Sequence, residues 1–341
     1  MLALPIDKNL NNGYLDDMPT SAVKDGNLAK ATRRNPSLLA IAIPVFAFAS
    51  CGNGNNPIPA PPAPVRIEMV RVPGGSFERG RNLGAGGGAD VAPVYTVTLS
   101  CFYMGVFPVT QAQFQAVMGR NPSWFTAARG RPPGEGETDG KRPVEQVSWY
   151  DAIVFANRLS MANGLTPAYS IAGSADPANW GPVPRVSVSA AWDAVEIVEG
   201  SSGYRLPTEA QWEFAAKGGD GSPGGFTFAG SDDAEEVAWW RTNSGGKTRQ
   251  VGRKLPNGLG IYDMSGNIME WCWDWFAVYT NEQETDPTGP AAGHIRVLRG
   301  GGYFWNVLAT RSVFRFHYAP FYTYNYIGFR LVRPLIPAEQ Q

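Results

Sequence analysis

The sequence is short of the residues on which much protein chemistry depends. Three cysteines in 341 residues (Cys51, Cys101 and Cys272) make no disulfide framework. The two histidines, His294 and His317, do not fall in a metal-ligand spacing. Lys and Arg number 29 against 30 Asp and Glu, a formal charge of −1. No long-range field therefore draws the chain toward nucleic acid, and nucleic-acid binding is set aside. Charged residues are only 17% and hydrophobic ones 43%, which suits a folded globule. What is plentiful is glycine (40) and proline (28), scattered without a repeat. They point to a loop-rich domain of short regular elements, with 11 Trp and 17 Phe supplying core volume.

Leu38–Ser50 is an apolar run of thirteen residues behind Lys30, Arg33 and Arg34. It is too short to span a bilayer as a helix and reads as a secretory signal, with Met18 a candidate start. It ends Phe48-Ala49-Ser50-Cys51-Gly52, which resembles a bacterial lipobox with Cys51 as the lipidated residue. Phe48 stands where Leu is usual, in keeping with the permissive spirochaete pattern. Gly52–Pro64 (GNGNNPIPAPPAP) cannot form a core and reads as a Pro-stiffened spacer. The expected layout is a signal over 1–51, a linker over 52–66, one domain over 67–334 and a tail over 335–341. A lipid anchor on a spacer places the domain at the bacterial outer membrane or cell surface.

Within the domain, Tyr95–Phe107 is rich in β-branched and aromatic residues and predicts a strand or hairpin. Thr110 with Gln113 makes a capping box, and Gly119 stops that helix. Ser148 opens a second helix closed by Gly164. Thr208 with Gln211 opens a third, closed by Gly218. GAGGG (84–88) is followed by strand-like residues rather than a helix start, so it reads as a loop and not a phosphate cradle. Arg129–Arg142 reads as a solvated insertion. Arg205 and Glu209 read as a polar pair fixing the turn before the third helix.

The segments VPGGSF (72–77), FPVT (107–110) and PVEQVSW (143–149) resemble the formylglycine-generating-enzyme, or sulfatase-modifying-factor, family. So do YRLPTEAQWEFAAKGG (204–219), NGLGIYDMSGNIMEWCWDW (257–275), RVLRGGG (296–302) and IGFRL (327–331). They follow the family's order and imply its α+β, C-type-lectin-like fold, loop-rich with short strands and a few helices. Fold does not carry function. The resemblance implies an oxidase that holds copper on two cysteines just after the RGGS-like motif. Here that segment has none, and thiolate is the ligand such chemistry needs. Related sulfoxide synthases hold iron on histidines, which the two here do not match. No catalytic residue is assigned, and the expected reading is not an enzyme.

Tyr303–Tyr326 (YFWNVLATRSVFRFHYAPFYTYNY) has ten aromatics in 24 residues, against 12% for the chain. Every residue except Trp305 belongs to the set encoded by NNC codons. Bracketed by RVLRGGG and IGFRL, the segment resembles the variable region of retroelement-diversified variable proteins of treponemes. That resemblance makes Arg299, Gly300, Gly301, Arg311, Gly328 and Arg330 framework. The ligand-binding positions it implies are Phe304, Asn306, Leu308, Phe314, Phe316, His317, Tyr318, Phe321, Tyr322, Tyr324, Asn325 and Tyr326. Trp305 and Tyr303 are read as scaffold. The contrary reading is a core strand pair, with Phe314-Arg315-Phe316 and Tyr322–Tyr326 alternating.

Family members also hold Ca²⁺ beside the Trp-rich motif. The matching ligands are Asp263, Gly266, Ile268 and Glu270, against a metal-free turn in which Glu270 caps backbone amides. A second family calcium loop finds no match in Asn243–Lys247. The expected function is display of a ligand-binding site by a monomeric lipoprotein anchored at Cys51, with an unknown protein or glycan as partner. The alternative is an oxidase-family enzyme or remnant with an unrecognised cofactor; a sugar-binding lectin is a third reading.

Overall fold

Three helices start where a hydroxyl side chain can catch a free backbone amide. Thr110, Ser148 and Thr208 each accept from the amide three residues on, and Gln113, Asp151 and Gln211 reach back to complete the box. Gly119 ends the first helix in the left-handed region, at φ 73°. The computed structural model describes residues 65–80, 91–219 and 225–335. The signal, Cys51, the spacer to Pro64, the GAGGG loop and the tail beyond Leu335 lie outside the described residues. No described helix is long and apolar enough to cross a membrane.

In chain order the elements begin with β1 (Met69–Val72), β2 (Gly75–Arg79), β3 (Tyr95–Leu99), β4 (Phe102–Gly105), α1 (Gln111–Met118) and α2 (Trp149–Ala162). Then come β5 (Tyr169–Ser170), α3 (Ala190–Asp193), β6 (Glu196–Ile197), α4 (Glu209–Ala216), α5 (Ala234–Val237), β7 (Ala238–Trp239) and β8 (Ser265–Gly266). The chain closes with β9 (Met269–Trp275), β10 (Glu284–Thr285), β11 (Arg296–Arg299), β12 (Arg315–Tyr318), β13 (Ile327–Gly328) and β14 (Val332–Pro334).

The central sheet runs β12-β11-β9-β13, antiparallel except where β13 lies parallel to β9. A second sheet, β1-β4-β14, joins the two ends of the domain. A third, β10-β3-β2, lies beside α4. Tyr95–Phe107 is thus two strands but no hairpin, because β3 pairs with β2 while β4 pairs with β1. Alternation reveals a strand but not its partner.

The core holds the aromatics that the composition promised. Trp149, Trp212 and Trp271 are wholly buried, and Trp275 nearly so. Such rings bury about 150–250 Å² each. The Arg129–Arg142 segment is less solvated than its composition suggests. Arg142 is fully buried, and Glu137 is almost covered by its ion pair with Arg249. Cys101 and Cys272 are both free.

Candidate functional site

Residues 303–326 form the connection from β11 to β13, both of which pair with β9. Their main chain is held by groups from outside the segment. Ser244 Oγ donates to the Tyr303 carbonyl (2.7 Å), and the Arg241 side chain and amide donate to those of Phe304 and Trp305 (3.0 Å each). Arg299, wholly buried, spreads its guanidinium over the carbonyls of Ser312, Val313 and Phe314 at 2.7–3.1 Å. Backbone amides of Trp149, Gln146 and Met269 donate to Pro320, Tyr324 and Tyr326. Gly301 adopts φ 69° against Ala309, where a Cβ would collide with the Ala309 carbonyl.

On this fixed main chain the side chains sort by exposure. Tyr303, Trp305, Ala309, Thr310, Ser312, Val313, Arg315 and Pro320 are buried. All twelve positions implied as ligand-binding are half-buried or exposed, with Leu308 at 47% and Tyr322 at 40%. Seven of them (Phe304, Phe314, Phe316, Tyr318, Phe321, Tyr324 and Tyr326) lean one side on the main core. The segment is therefore neither a free-standing loop nor a buried strand pair.

Six rings close a circuit. Phe304 lies 4.6 Å from Tyr326, which stacks on Tyr324 (5.1 Å, 6°). Tyr324 leads to Tyr318 (5.0 Å), Phe316 (5.1 Å), Trp305 (5.4 Å) and back to Phe304 (5.1 Å). Tyr322 extends it from Tyr318 and Tyr324, Phe321 from Tyr322, and Phe314 from Phe316. The Tyr318 and Tyr326 hydroxyls meet at 3.0 Å, and burial pushes the Tyr324 phenol up to about 12. Burial keeps the Tyr318, Tyr324 and Tyr326 phenols neutral near pH 7, where they offer hydrogen bonds without charge.

Not every implied position joins the rings. In β12 the pleat sets Phe316 and Tyr318 on one face and Arg315 and His317 on the other. His317 accordingly lies against Phe276, with ring centroids 4.4 Å apart, and meets the circuit only through its neighbour Phe316 at 5.8 Å. Asn306 caps the short turn Val307–Thr310 through the Ala309 amide. Asn325 is half-buried, with no ring to contribute.

The reverse face of β12 holds a group that the sequence reading missed. Arg315 grips Glu209 with two bonds, Nε to Oε1 at 2.5 Å and Nη2 to Oε2 at 2.8 Å, and Arg79 shares Oε2 at 2.7 Å. Glu209 is therefore paired with Arg79 and Arg315, not with Arg205, whose guanidinium donates instead to Leu206 and Gln211. The Phe-Arg-Phe alternation was the available signal: it sets the arginine opposite the rings.

Asp263 and Glu270 are both buried. Glu270 does not cap backbone amides; it takes two bonds from Arg330 and one from the Trp212 indole. Its Oε1 carries a single bond, as does Asp263 Oδ1, so each keeps a lone pair. Burial pushes the Asp263 carboxyl up to about 6, and the Glu270 charge adds to the effect. Two buried carboxylates facing the single guanidinium of Arg330 leave a charge imbalance of the kind a hard cation would relieve. Among the described residues no three His, Cys, Asp or Glu side chains group as metal ligands, so carbonyls would supply the remainder.

A sulfatase-modifying factor enzyme 1-like domain matches residues 58–335. The chain is 38% identical over 258 residues to chaperone protein LppX of Paenibacillus barcinonensis, covering 70% of this chain and 80% of that one. It is 32% identical over 265 residues to the formylglycine-generating enzyme of Streptomyces coelicolor, covering 69% and 78%. Among solved structures, Treponema denticola variable protein 1 superposes with a TM-score of 0.70 at 38% identity, covering 78% of this chain and 95% of that one. The fold, the order of motifs and these similarities agree: the chain belongs to the sulfatase-modifying-factor, or formylglycine-generating-enzyme, family.

Proposed function

We propose that the chain is a binding and display protein, held at the outer membrane or cell surface through a lipid on Cys51, that acts as a monomer. Its aromatic face takes a protein or glycan ligand, and the segment behind that face is diversified. One observation carries this reading: the twelve implied side chains stay at least partly open while framework groups fix the main chain beneath them. Rings on a rigid scaffold give large contact area at low entropic cost, and tyrosine adds a hydrogen-bonding tip. Similarity to a variable protein supports placing the diversity in 303–326. The test is to pan a peptide library and a glycan array with the domain and with its Tyr322→Asn/Leu308→Asn variant. Binders that the variant loses are expected; equal binding by both would overturn the proposal.

A structural Ca²⁺ on Asp263, Glu270 and the carbonyls of Gly266 and Ile268 belongs to the same proposal. It would add charge balance beneath β9 and take no part in ligand capture. Calorimetric titration should give heat with calcium, and Asp263→Ala should abolish it.

Similarity to formylglycine-generating enzymes favours a second reading, an oxidase. The segment after Gly302 has no thiol, and Cys272 lies wholly buried in β9. Oxygen uptake in the presence of copper would revive that reading; none is expected.

A further inference from the structure

A cavity of about 270 Å³ opens on the face of β12 opposite the rings. Two guanidiniums, Arg79 and Arg315, meet three carboxylates there, Glu209, Asp274 and Glu284, leaving one net negative charge when all are ionised. The guanidinium donors facing this space are largely engaged. Both bind Glu209, Arg315 Nη1 also donates to the Ala277 carbonyl (3.0 Å), and Arg79 Nη1 donates to the Tyr95 hydroxyl (2.9 Å). Arg79 Nε is buried without a hydrogen-bond partner, and the other open capacity is on the acceptors. Asp274, only 2% exposed, takes the Glu209 amide on Oδ2 (2.7 Å) and has no hydrogen bond on Oδ1. Gly289, at φ 75°, packs its main chain closely on that side chain; a Cβ there would lie 2.8 Å from the Asp274 Cβ and 3.1 Å from Oδ1, so no larger residue fits beside it. At the mouth Glu284, 37% exposed, takes the Tyr95 hydroxyl on Oε2 (3.2 Å) and nothing on Oε1. The indole of Trp275 supplies an apolar wall.

We propose that this cavity binds a primary ammonium group on a short aliphatic chain, the ammonium donating to Asp274 Oδ1 and Glu284 Oε1 and the chain lying on Trp275. A buried carboxylate oxygen without a partner is costly, and a compact three-donor cation completes it without disturbing the Arg–Glu pairs. The same chemistry is offered by a free alkylamine and by a lysine side chain. The site is on the reverse of β12 and stands independently of ligand capture by the aromatic face.

Two probes test it by calorimetry on the whole domain: n-butylamine, and Nα-acetyl-lysinamide for the side-chain source. Saturable heat with either supports the proposal, and their relative strengths assign the source. Butyrate, of similar shape and opposite charge, is expected to give no heat. Asp274→Asn, which still accepts the Glu209 amide, and Glu284→Gln, at the rim, should each weaken amine binding about tenfold or more, the scale of a charge-assisted hydrogen bond. Burial and the Glu209 charge push the Asp274 carboxyl up to about 6, against the opposing charges of Arg79 and Arg315. Glu284, Tyr95 and Tyr279 share the cavity with it, and Arg205, Arg296 and Cys272 also feel its charge. Affinity should therefore rise between about pH 5 and pH 7 in the parent and stay flat in Asp274→Asn. Absence of amine heat, equal heat with butyrate, or unchanged binding by both variants would overturn the assignment.

Discussion

The two faces of β12 solve opposite problems with neighbouring residues. One face carries Phe316 and Tyr318 into a circuit of half-open rings whose contacts are non-directional. The other carries Arg315 into a buried ion pair of fixed geometry with Glu209, shared by Arg79. The outermost side chains of that face, Tyr322 and Leu308, can be exchanged for other apolar or polar groups at modest cost because water already reaches them. A buried charge cannot, because removing its partner leaves an uncompensated ion. The tolerance of one face thus rests on the rigidity of the other.

The largest expected effect comes from breaking the rigid face. Glu209→Gln strands Arg79 and Arg315, and urea unfolding should show a loss of about 3–5 kcal/mol. Removing the floor of the ring circuit is comparable or slightly smaller: Trp305→Ala should cost about 3–5 kcal/mol, because that indole is 3% exposed. If Trp305→Ala were neutral, the circuit would have no dependence on the core.

Intermediate effects follow from pH, measured as melting temperature in EDTA. Opposing charges, chiefly Lys217 and Arg299, overcome burial and hold Glu213 down at about 2. Its stabilising contribution is present above its unfolded value of 4.5 and is lost as pH falls toward 2. Asp263 and Asp274 run the other way. Burial raises both to about 6 from 3.8, so their contribution is full below 3.8 and is lost as pH rises through 6. Stability should peak in mild acid, and an Asp263→Asn/Asp274→Asn double variant should flatten the limb toward neutrality. Least of all, Tyr322→Asn and Leu308→Asn should each shift stability by no more than about 0.5 kcal/mol while removing ligand capture. Phe316 and Tyr318 are poorer probes, since both lean on the core and their replacement would cost stability as well.

Local features were readable from the sequence because their partners are close in the chain. Thr110 with Gln113, and Thr208 with Gln211, need only three residues to declare a helix start. The fold was readable through long family motifs, and the aromatic segment through its residue types. Pairings across the chain were not. Glu209 lies 106 residues from Arg315 and 130 from Arg79, and nothing around Glu209 in the sequence marks it as their buried partner. The same blindness made Arg142 look solvated and left open whether β3 and β4 form a hairpin, since sheet partners are chosen by the assembled core.

The domain is sewn shut by its last stretch of described chain. β13 lies alongside β9, and β14 completes the sheet begun by β1 and β4 near the domain's start. A polypeptide halted anywhere in 303–326 would lack both closing strands, leaving edges of β4 and β9 bare and the Glu270 carboxylate without Arg330. A stop within 303–326 would therefore remove closing strands from two sheets and a buried ion pair at once, so it should cost the whole domain and not the aromatic face alone.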